Sequence, residues 1–264
     1  MKIGFIGVGF MGKPLLKGVC DVLRADVCFY DVNQETAASV ETEFRCGMAT
    51  SAEEVVTQSD VIILCVKPNI IQTVLHEIKH VFTSDKLLIS IAAGVPLVQY
   101  MDILGAHSKV IRAMPNQPAA VGKGMTLLAF ADALDDASMK TATSIFQTVG
   151  DTQVLPEKQM NAGTAITGSS PAYVFLLIEA MADAAVLEGI PRDMAYRLAA
   201  SAVSGSGDMV LQTGKHPAEL KDAVCSPGGT TIEAVQVLEQ KGFRAAVIDA
   251  VHACKEKADI LEDK

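Results

Sequence analysis

The stretch "GFIGVGFMG", residues 4–12, decides how the first half of this chain folds. It joins an apolar run to a helical pattern, and its glycines follow the spacing G-x-G-x-x-G. In such a turn Gly7 permits the tight bend, Gly9 lets a pyrophosphate approach the backbone, and Gly12 lets the helix pack closely on the strand. The stretch therefore predicts a dinucleotide-binding turn, with a purely structural glycine turn as the plainer alternative.

Apolar runs of strand length continue outward from this turn and alternate with helical stretches. The predicted strands are 2–7, 27–31, 61–66, 86–92 and 109–114, with 125–130 and 152–155 at the sheet edge. The predicted helices between them are 12–24, 34–45, 69–80, 96–104 and 134–148. Strands that are apolar on both faces indicate a parallel sheet covered by helices on both sides. We therefore expect an α/β fold in which residues 1–156 form a Rossmann-type, doubly wound domain.

The chain changes character after about residue 156, where the β-rich runs stop. The predicted helices of this second part are 170–189, 193–212, 216–223, 230–241 and 243–260. The first of them, "SPAYVFLLIEAMADAAVLEG", is apolar on nearly every face and should be buried on most sides. So few residues cannot bury such apolar helices alone. We therefore expect residues 157–264 to form an all-α domain that packs against a second subunit.

Composition and charge argue against several classes of protein, among them nucleic-acid-binding and membrane-spanning proteins. The 264 residues are 50% hydrophobic with a formal net charge of −9, so we expect a globular protein that does not bind nucleic acid. Its six cysteines include no C-x-x-C pair, which is typical of reduced thiols in a cytoplasmic protein. No uninterrupted apolar run reaches about 18 residues, so no transmembrane helix and no membrane partner are expected.

Asp31 ends the second predicted strand, 19 positions after Gly12. An acid at this point accepts hydrogen bonds from the ribose hydroxyls of NAD and repels the 2′-phosphate of NADP. Asp31 therefore favours NADH over NADPH. The alternative interpretation is that Asp31 caps the following helix, and the two roles are compatible.

The segment "HEIKH" (76–80) matches the H-E-x-x-H pattern of zinc hydrolases, because His76 and His80 share one helix face near Glu77. No third ligand follows, and the helix is predicted to lie on the outside of the sheet. We interpret the segment as a solvated helix face and expect no metal site.

Two further segments end predicted strands, where an open α/β sheet forms its ligand crevice. They are "VKP" (66–68) and "SIAAGV" (90–95), and the small side chains of Ala92 and Ala93 leave room for a flat ring. Each segment taken singly is equally compatible with a plain turn.

The segment "CSPGGTTIEA" (225–234) predicts a second anion site, since glycines and threonines lead into a helix. Backbone N–H groups and the helix dipole at such a junction favour a negative charge. The plainer alternative is a helix start in which Thr230 and Glu233 form a capping box.

The chain resembles the pyrroline-5-carboxylate reductases along nearly its whole length. The segments that carry the resemblance occur in that family's order and are "GFIGVGFMG", "VKP", "SIAAGV", "IRAMPN" (111–116), "GSSPAYVF" (168–175) and "LKDAVCSPGGTTIEAVQVLE" (220–239). The resemblance implies reduction of 1-pyrroline-5-carboxylate to L-proline by NADPH or NADH, the last step of proline biosynthesis. It also implies a homodimer through the helical domain, and it allows further assembly of dimers into a decamer.

The resemblance also implies roles for individual residues. Cofactor contacts are implied for Ile6, Gly7, Val8, Gly9, Phe10 and Met11, for Cys65, Val66, Lys67 and Pro68, and for Ile91, Ala92 and Ala93. The substrate carboxylate is implied to bind Gly228, Gly229, Thr230 and Thr231, with the catalytic Thr231 hydroxyl near the ring nitrogen.

The chain departs from the family pattern at three positions. Asp31 stands where Ser or another small polar residue suits NADPH, Gln117 stands where Thr is common, and Gly214 stands where some members have an acid. Two other interpretations stay open. One is another Rossmann imine or hydroxyacid reductase, and the other is a nucleotide-sensing module without turnover.

Overall fold

The computed structural model describes residues 1–131 and 134–262. In that part of the chain eight strands form a single sheet. They are β1 (Lys2–Ile6), β2 (Asp26–Tyr30), β3 (Gly47–Met48), β4 (Val61–Leu64), β5 (Leu87–Ser90), β6 (Lys109–Met114), β7 (Gly124–Phe130) and β8 (Gly150–Val154).

The strand order is β3-β2-β1-β4-β5-β6-β7-β8. Neighbouring strands are parallel except β6 and β7, which pair antiparallel. The order reverses between β1 and β4, and ligands of doubly wound sheets bind at this kind of switch point. The predicted Rossmann-type sheet is confirmed.

Helices alternate with the strands and then form the rest of the described chain. They are α1 (Gly12–Gly18), α2 (Gln34–Phe44), α3 (Ala52–Gln58), α4 (Ile71–Ile78), α5 (Leu97–Leu104), α6 (Asp136–Phe146), α7 (Met160–Thr167), α8 (Ser170–Leu187), α9 (Arg192–Thr213), α10 (Pro217–Val224), α11 (Thr230–Gln240) and α12 (Phe243–Glu262). A π turn, Val19–Leu23, continues α1. The all-α second part of the prediction is confirmed too.

The core of the sheet domain has two halves, one on each face. Successive residues of β1 alternate between them, so that Phe5 packs in one cluster and Ile6 in the other. All four residues of β4 and all four of β5 are buried. Burial on both faces explains why these strands are continuous apolar runs in the sequence.

The glycines of the first loop have different structural reasons. Gly7 has a φ of +89°, a conformation that L side chains rarely adopt. A Cβ at Gly12 would lie 2.5 Å from the carbonyl oxygen of Gly7, so only glycine permits this close contact between α1 and the end of β1. A Cβ at Gly9 would meet no atom within 4 Å. The fold therefore requires glycine at residues 7 and 12, whereas it places no steric restriction on residue 9.

Contacts within the chain divide it into two units. The first consists of Met1–Ser169 with the segment from Cys254 onward, and the second is Ser170–Ala253. The last turns of α12 therefore pack with the sheet domain. The domain boundary expected at residue 156 stays a prediction.

The second unit has a small core of its own. Its buried hydrophobic residues are Ala182, Ala195 and Ala199, where α8 crosses α9. Large apolar side chains of α8 remain exposed instead, with Leu176 67% and Leu187 86% accessible. The expectation that α8 is buried on most sides is thus not met within one chain.

One stretch among the described residues, Glu157–Leu187, is long and apolar enough to cross a membrane by length and composition alone. The expectation of no transmembrane helix stays a prediction, because one stretch of this kind is weak evidence for a membrane span. Core helices of soluble proteins meet the same criterion. The regular helix is broken at Gly168 and Ser169, between α7 and α8.

The geometry of the first loop predicts that one glycine-to-alanine change lowers stability and another does not. Gly12→Ala should lower the free energy of unfolding by about 1–3 kcal/mol, because its methyl group meets a backbone oxygen that cannot move aside. Gly9→Ala should leave that free energy nearly unchanged, since its methyl group enters open space. Urea unfolding of both variants measures the difference. Equal losses of stability would contradict this account of the loop.

Candidate functional site

The carboxyl ends of three adjacent parallel strands form one edge of the sheet. The strands are β1, β4 and β5, and backbone hydrogen bonds between neighbours continue past their last residues. Cys65 N–H donates to the carbonyl oxygen of Ile6 at 2.8 Å, and Ile91 N–H donates to that of Leu64 at 3.0 Å. The structure therefore brings together the three segments predicted to contact the cofactor, which are 6–12, 65–68 and 91–93.

The glycine loop follows β1, at one side of this edge. Open space surrounds the position that a Cβ of Gly9 would occupy, so an extended phosphate group can approach the backbone there. Phe10 is 74% exposed beside it, and the N-terminus of α1 follows. This geometry fits a dinucleotide pyrophosphate, because a side chain at residue 9 would fill the space that the phosphates need.

Asp31 is fixed at the end of β2 by two backbone donors. Its Oδ2 accepts from Val8 N–H at 2.8 Å, and its Oδ1 accepts from Asn33 N–H at 2.9 Å. Asn33, not Asp31, is the N-cap of α2, since its side chain accepts from Thr36 N–H. The alternative interpretation of Asp31 as the helix cap is therefore wrong. Its carboxylate instead joins the glycine loop to β2.

The segment after β4 offers a mostly apolar surface. Although part of Cys65 reaches the surface, desolvation raises the pKa of its thiol, so the thiol stays protonated and neutral near pH 7. Val66 is half-buried, while Lys67 and Pro68 are exposed, and Pro68 begins a 3₁₀ turn. The cysteine is thus a packing element at this edge rather than a nucleophile.

The two alanines after β5 face in different directions. Ala92 is only 3% exposed and packs in the core, whereas Ala93 is exposed at the edge. Ser90 Oγ accepts from Ala92 N–H at 3.3 Å and from the hydroxyl of Tyr100 at 2.7 Å. Burial raises the pKa of Tyr100 to about 12, so this hydroxyl keeps its proton and remains a donor. The room for a flat ring is therefore beside Ala93.

A cavity of about 240 Å³ adjoins this edge. Its lining includes two residues that the sequence predicted, Pro68 and Ala93, and seven that it did not predict as site residues. The seven are Gly94, Arg112, Met114, Asn161, Thr164, Ala258 and Leu261. The one signal in the sequence was a charged residue, Arg112, inside an apolar strand.

The predicted substrate loop belongs to the second unit and is described by itself. Gly228 has a φ of +67°, and Gly229 N–H donates to the carbonyl oxygen of Ser226 at 3.0 Å. Gly229 is the N-cap of α11, and its cap has no side-chain hydrogen bond. The capping box expected from Thr230 and Glu233 is therefore wrong, because Thr230 is already the first helical residue.

This arrangement leaves the start of α11 suited to an anion. The first N–H groups of a helix have no partner within the helix, and here no side chain caps them. Thr230 and Gly228 are exposed, while Gly229 and Thr231 are half-buried. The loop can thus present backbone donors and the Thr231 hydroxyl to a small carboxylate.

The "HEIKH" segment lies on and just after α4. His80 Nε2 is 3.4 Å from Glu53 Oε1, which makes it part of a surface ion pair when protonated. Across residues 1–131 and 134–262, no group of three or more His, Cys, Asp or Glu side chains is arranged to hold a metal ion.

Comparison with known proteins gives the family. A family model described as pyrroline-5-carboxylate reductase dimerisation matches residues 157–261, and one described as NADP oxidoreductase coenzyme F420-dependent matches residues 2–94. The pyrroline-5-carboxylate reductase of Escherichia coli (strain K12) is 49% identical over 263 residues, which is 98% of this chain and 98% of that protein.

Two solved structures resemble the chain along almost its full length. A pyrroline-5-carboxylate reductase from Coxiella burnetii superposes with a TM-score of 0.93 at 32% identity, covering 98% of this chain and 97% of that one. A Plasmodium falciparum pyrroline carboxylate reductase with NADP bound gives 0.88 at 32% identity, covering 99% and 98%. Taken with the fold and the two candidate anion sites, these similarities establish that the chain belongs to the pyrroline-5-carboxylate reductase family.

Proposed function

We propose that this protein reduces 1-pyrroline-5-carboxylate to L-proline by hydride transfer from NADH or NADPH, the last step of proline biosynthesis. The observation that carries the proposal is the 49% identity to the E. coli reductase along 98% of both chains. The sheet edge and the loop before α11 supply the two kinds of site that this reaction needs.

The cofactor lies along the sheet edge in this proposal. Its pyrophosphate approaches the backbone at Gly9, its adenosine ribose lies toward Asp31, and its nicotinamide ring lies beside Ala93. The carboxylate of Asp31 is held by Val8 N–H and Asn33 N–H, so it cannot readily turn away from a 2′-phosphate. This supports a preference for NADH, although the related P. falciparum structure contains NADP.

The substrate is a cyclic imine that carries one carboxylate. That carboxylate binds the backbone N–H groups of Thr230 and Thr231, next to the cap residue Gly229, where the α11 dipole favours negative charge. With the carboxylate held at this loop, the electrophilic imine carbon stays available to accept the hydride.

The bound nicotinamide supplies a hydride, and the residues of this chain orient the two rings. One hydride goes to the imine carbon and one proton to the ring nitrogen, which gives the secondary amine of proline and the oxidised cofactor. The Thr231 hydroxyl forms a hydrogen bond with the nitrogen, as donor to the neutral imine or as acceptor from the N–H of the protonated iminium. A threonine hydroxyl is too weak an acid to be the final proton source, so the proton comes from water or is already on the substrate.

The helical part forms a homodimer in this proposal. The family model that describes reductase dimerisation covers residues 157–261, which includes all of the second unit. The exposed apolar side chains of α8, among them Phe175 and Leu176, are what a subunit interface would cover. Further assembly of dimers into a decamer is compatible with this arrangement.

A subunit interface accounts for the apolar face of α8 better than a lipid bilayer does. Glu179 and Asp183 lie within the helix, and Asp183 forms an ion pair with Arg192. Charged groups at the centre of a membrane are costly. The six cysteines are free thiols, which supports a reducing, cytoplasmic location.

The alternative enzymes fit less well. Hydroxyacid dehydrogenases and general imine reductases rely on a catalytic Lys or Asp in the long helix after the Rossmann domain. α8 contains no Lys, and its Asp183 is paired with Arg192. A nucleotide-sensing module without turnover would bind the cofactor but show no substrate-dependent oxidation.

The purified protein should oxidise NADH when 1-pyrroline-5-carboxylate is added, with proline as the product. Absorbance at the reduced nicotinamide band measures the rate with each cofactor. Cofactor binding without oxidation would indicate a sensing module instead. A kcat/KM that is about tenfold greater with NADPH than with NADH would overturn the role given to Asp31.

Thr231→Ala should lower kcat/KM by more than about tenfold, because the hydroxyl bonds the reacting ring nitrogen. The dissociation constant of the cofactor should stay nearly the same. Thr231→Ser keeps the hydroxyl and should recover most of the activity. Unchanged turnover in the alanine variant would remove Thr231 from the mechanism.

Sedimentation at micromolar concentration should show a dimer or a larger assembly. Leu176→Glu places a charge on the exposed face of α8 and should shift the protein toward smaller species. Val22→Glu is the matched control, since Val22 is 62% exposed on the first unit. A wild-type monomer at this concentration would contradict the proposed interface.

A further inference from the structure

Arg112 is a buried cation in the middle of an apolar strand. Its side chain is only 4% exposed, and its neighbours on β6, Ile111 and Ala113, are fully buried. A buried charge is costly unless ion pairs and hydrogen bonds compensate it. The side chains that compensate this charge therefore indicate which parts of the fold it holds together.

Three side chains from distant parts of the sequence gather around the guanidinium. Nη1 is 2.5 Å from Glu262 Oε1 and 3.4 Å from Glu157 Oε1, and Nη2 donates to Asn161 Oδ1 at 3.2 Å. Asn161 in turn donates to Glu262 and, at 3.1 Å, to Asp259 Oδ1. The cation thus joins β6 to α7, to the turn before it and to the end of α12.

Both acidic partners also lie beside the segment that follows β5. Glu157 Oε1 accepts from the N–H of Leu97, the first residue of α5, at 2.7 Å. The backbone of Glu262 is in contact range of Gly94, where a Cβ would lie 3.8 Å from the Glu262 nitrogen. Arg112 is therefore linked to this segment by a hydrogen bond through Glu157, and through Glu262 it holds the end of α12 beside Gly94.

The same segment has another attachment on its N-terminal side. Ser90 Oγ holds Ala92 N–H and is itself held by the buried Tyr100 hydroxyl. Between these attachments Ala93 is exposed, and the cavity of about 240 Å³ lies beside it. The loop has open space on that side, so its position depends on the attachments rather than on packing alone.

We propose that Arg112 is a positioning residue that holds the loop Ile91–Val95 in place for the nicotinamide ring, acting through Glu157 and Glu262. The proposal rests on the proposed function, in which this loop contacts the ring. A single ammonium group in place of the forked guanidinium cannot hold Glu157, Glu262 and Asn161 in these positions at once. A carboxylate that is no longer held becomes hydrated and shifts, and the loop moves with it toward the cavity.

The test compares the two halves of the cofactor in Arg112→Lys, which keeps the charge but not the forked geometry. NADH reports on the nicotinamide ring through its fluorescence, and ADP-ribose lacks that ring. We expect the emission of bound NADH to shift toward that of free NADH and kcat to fall at least about tenfold, with affinity for ADP-ribose within about twofold of wild type. If the protein prefers NADPH, then NADPH and 2′-phospho-ADP-ribose replace NADH and ADP-ribose in this test.

Glu262→Gln should show the same pattern more weakly, because Arg112 keeps Glu157. The matched control is Glu77→Gln on the exposed face of α4, which should behave like wild type. Unchanged emission in both Arg112→Lys and Glu262→Gln would overturn the proposal. An equal loss of affinity for NADH and ADP-ribose would do so too, since it would indicate general destabilisation.

The binding readouts separate this proposal from the proposed function. A wild-type protein that binds NADH but does not reduce the substrate would refute the function. The emission and ADP-ribose comparison would still decide whether Arg112 positions the loop.

Discussion

The close contact between Gly12 and the carbonyl oxygen of Gly7 is the constraint on which the rest of the sheet edge depends. Because neither residue has a side chain, α1 begins directly against the end of β1. That places Val8 N–H where Asp31 accepts its hydrogen bond and puts the Gly9 backbone beside open space. The candidate cofactor site is thus a consequence of backbone packing, and its side chains are secondary to it.

The chain offers candidate anion sites in both of its units, and they differ in the anion that they suit. The glycine loop combines open backbone with the carboxylate of Asp31, to which we assign the proposed selection between NADH and NADPH. The loop before α11 has a turn at Gly228 and an uncapped helix start, with no acidic side chain among Gly228, Gly229, Thr230 and Thr231. A small substrate carboxylate fits the second loop, whereas a nucleotide with its ribose fits the first.

Local patterns in the sequence were enough to predict the strands that consist of buried apolar residues. The strands β1, β4, β5 and β6 were predictable because each is a short apolar run between glycines, polar residues or helical stretches. β3 and α3 were missed, since β3 has two residues and α3 only seven, although Ser51 and Glu54 formed a recognisable helix start. The capping box at Thr230 failed because the turn at Gly228 makes Gly229 the cap.

Contacts between distant residues could not be predicted in this way. Arg112 is conspicuous as a charge within an apolar strand, but Glu157 and Glu262 lie 45 and 150 positions further along the chain. No periodicity or spacing connects them, and only the folded chain shows that they meet. The same limit applies to the cavity beside Ala93.

The central claim is that a hydride passes from the nicotinamide ring at this sheet edge to the imine carbon of the substrate. Reaction of 1-pyrroline-5-carboxylate with NADH deuterated at C4 on the transferred face, followed by magnetic resonance of the product, tests it directly. The account predicts proline with one deuterium at C5, on one face of the ring. Proline without deuterium, or oxidation of the cofactor without proline, would contradict it.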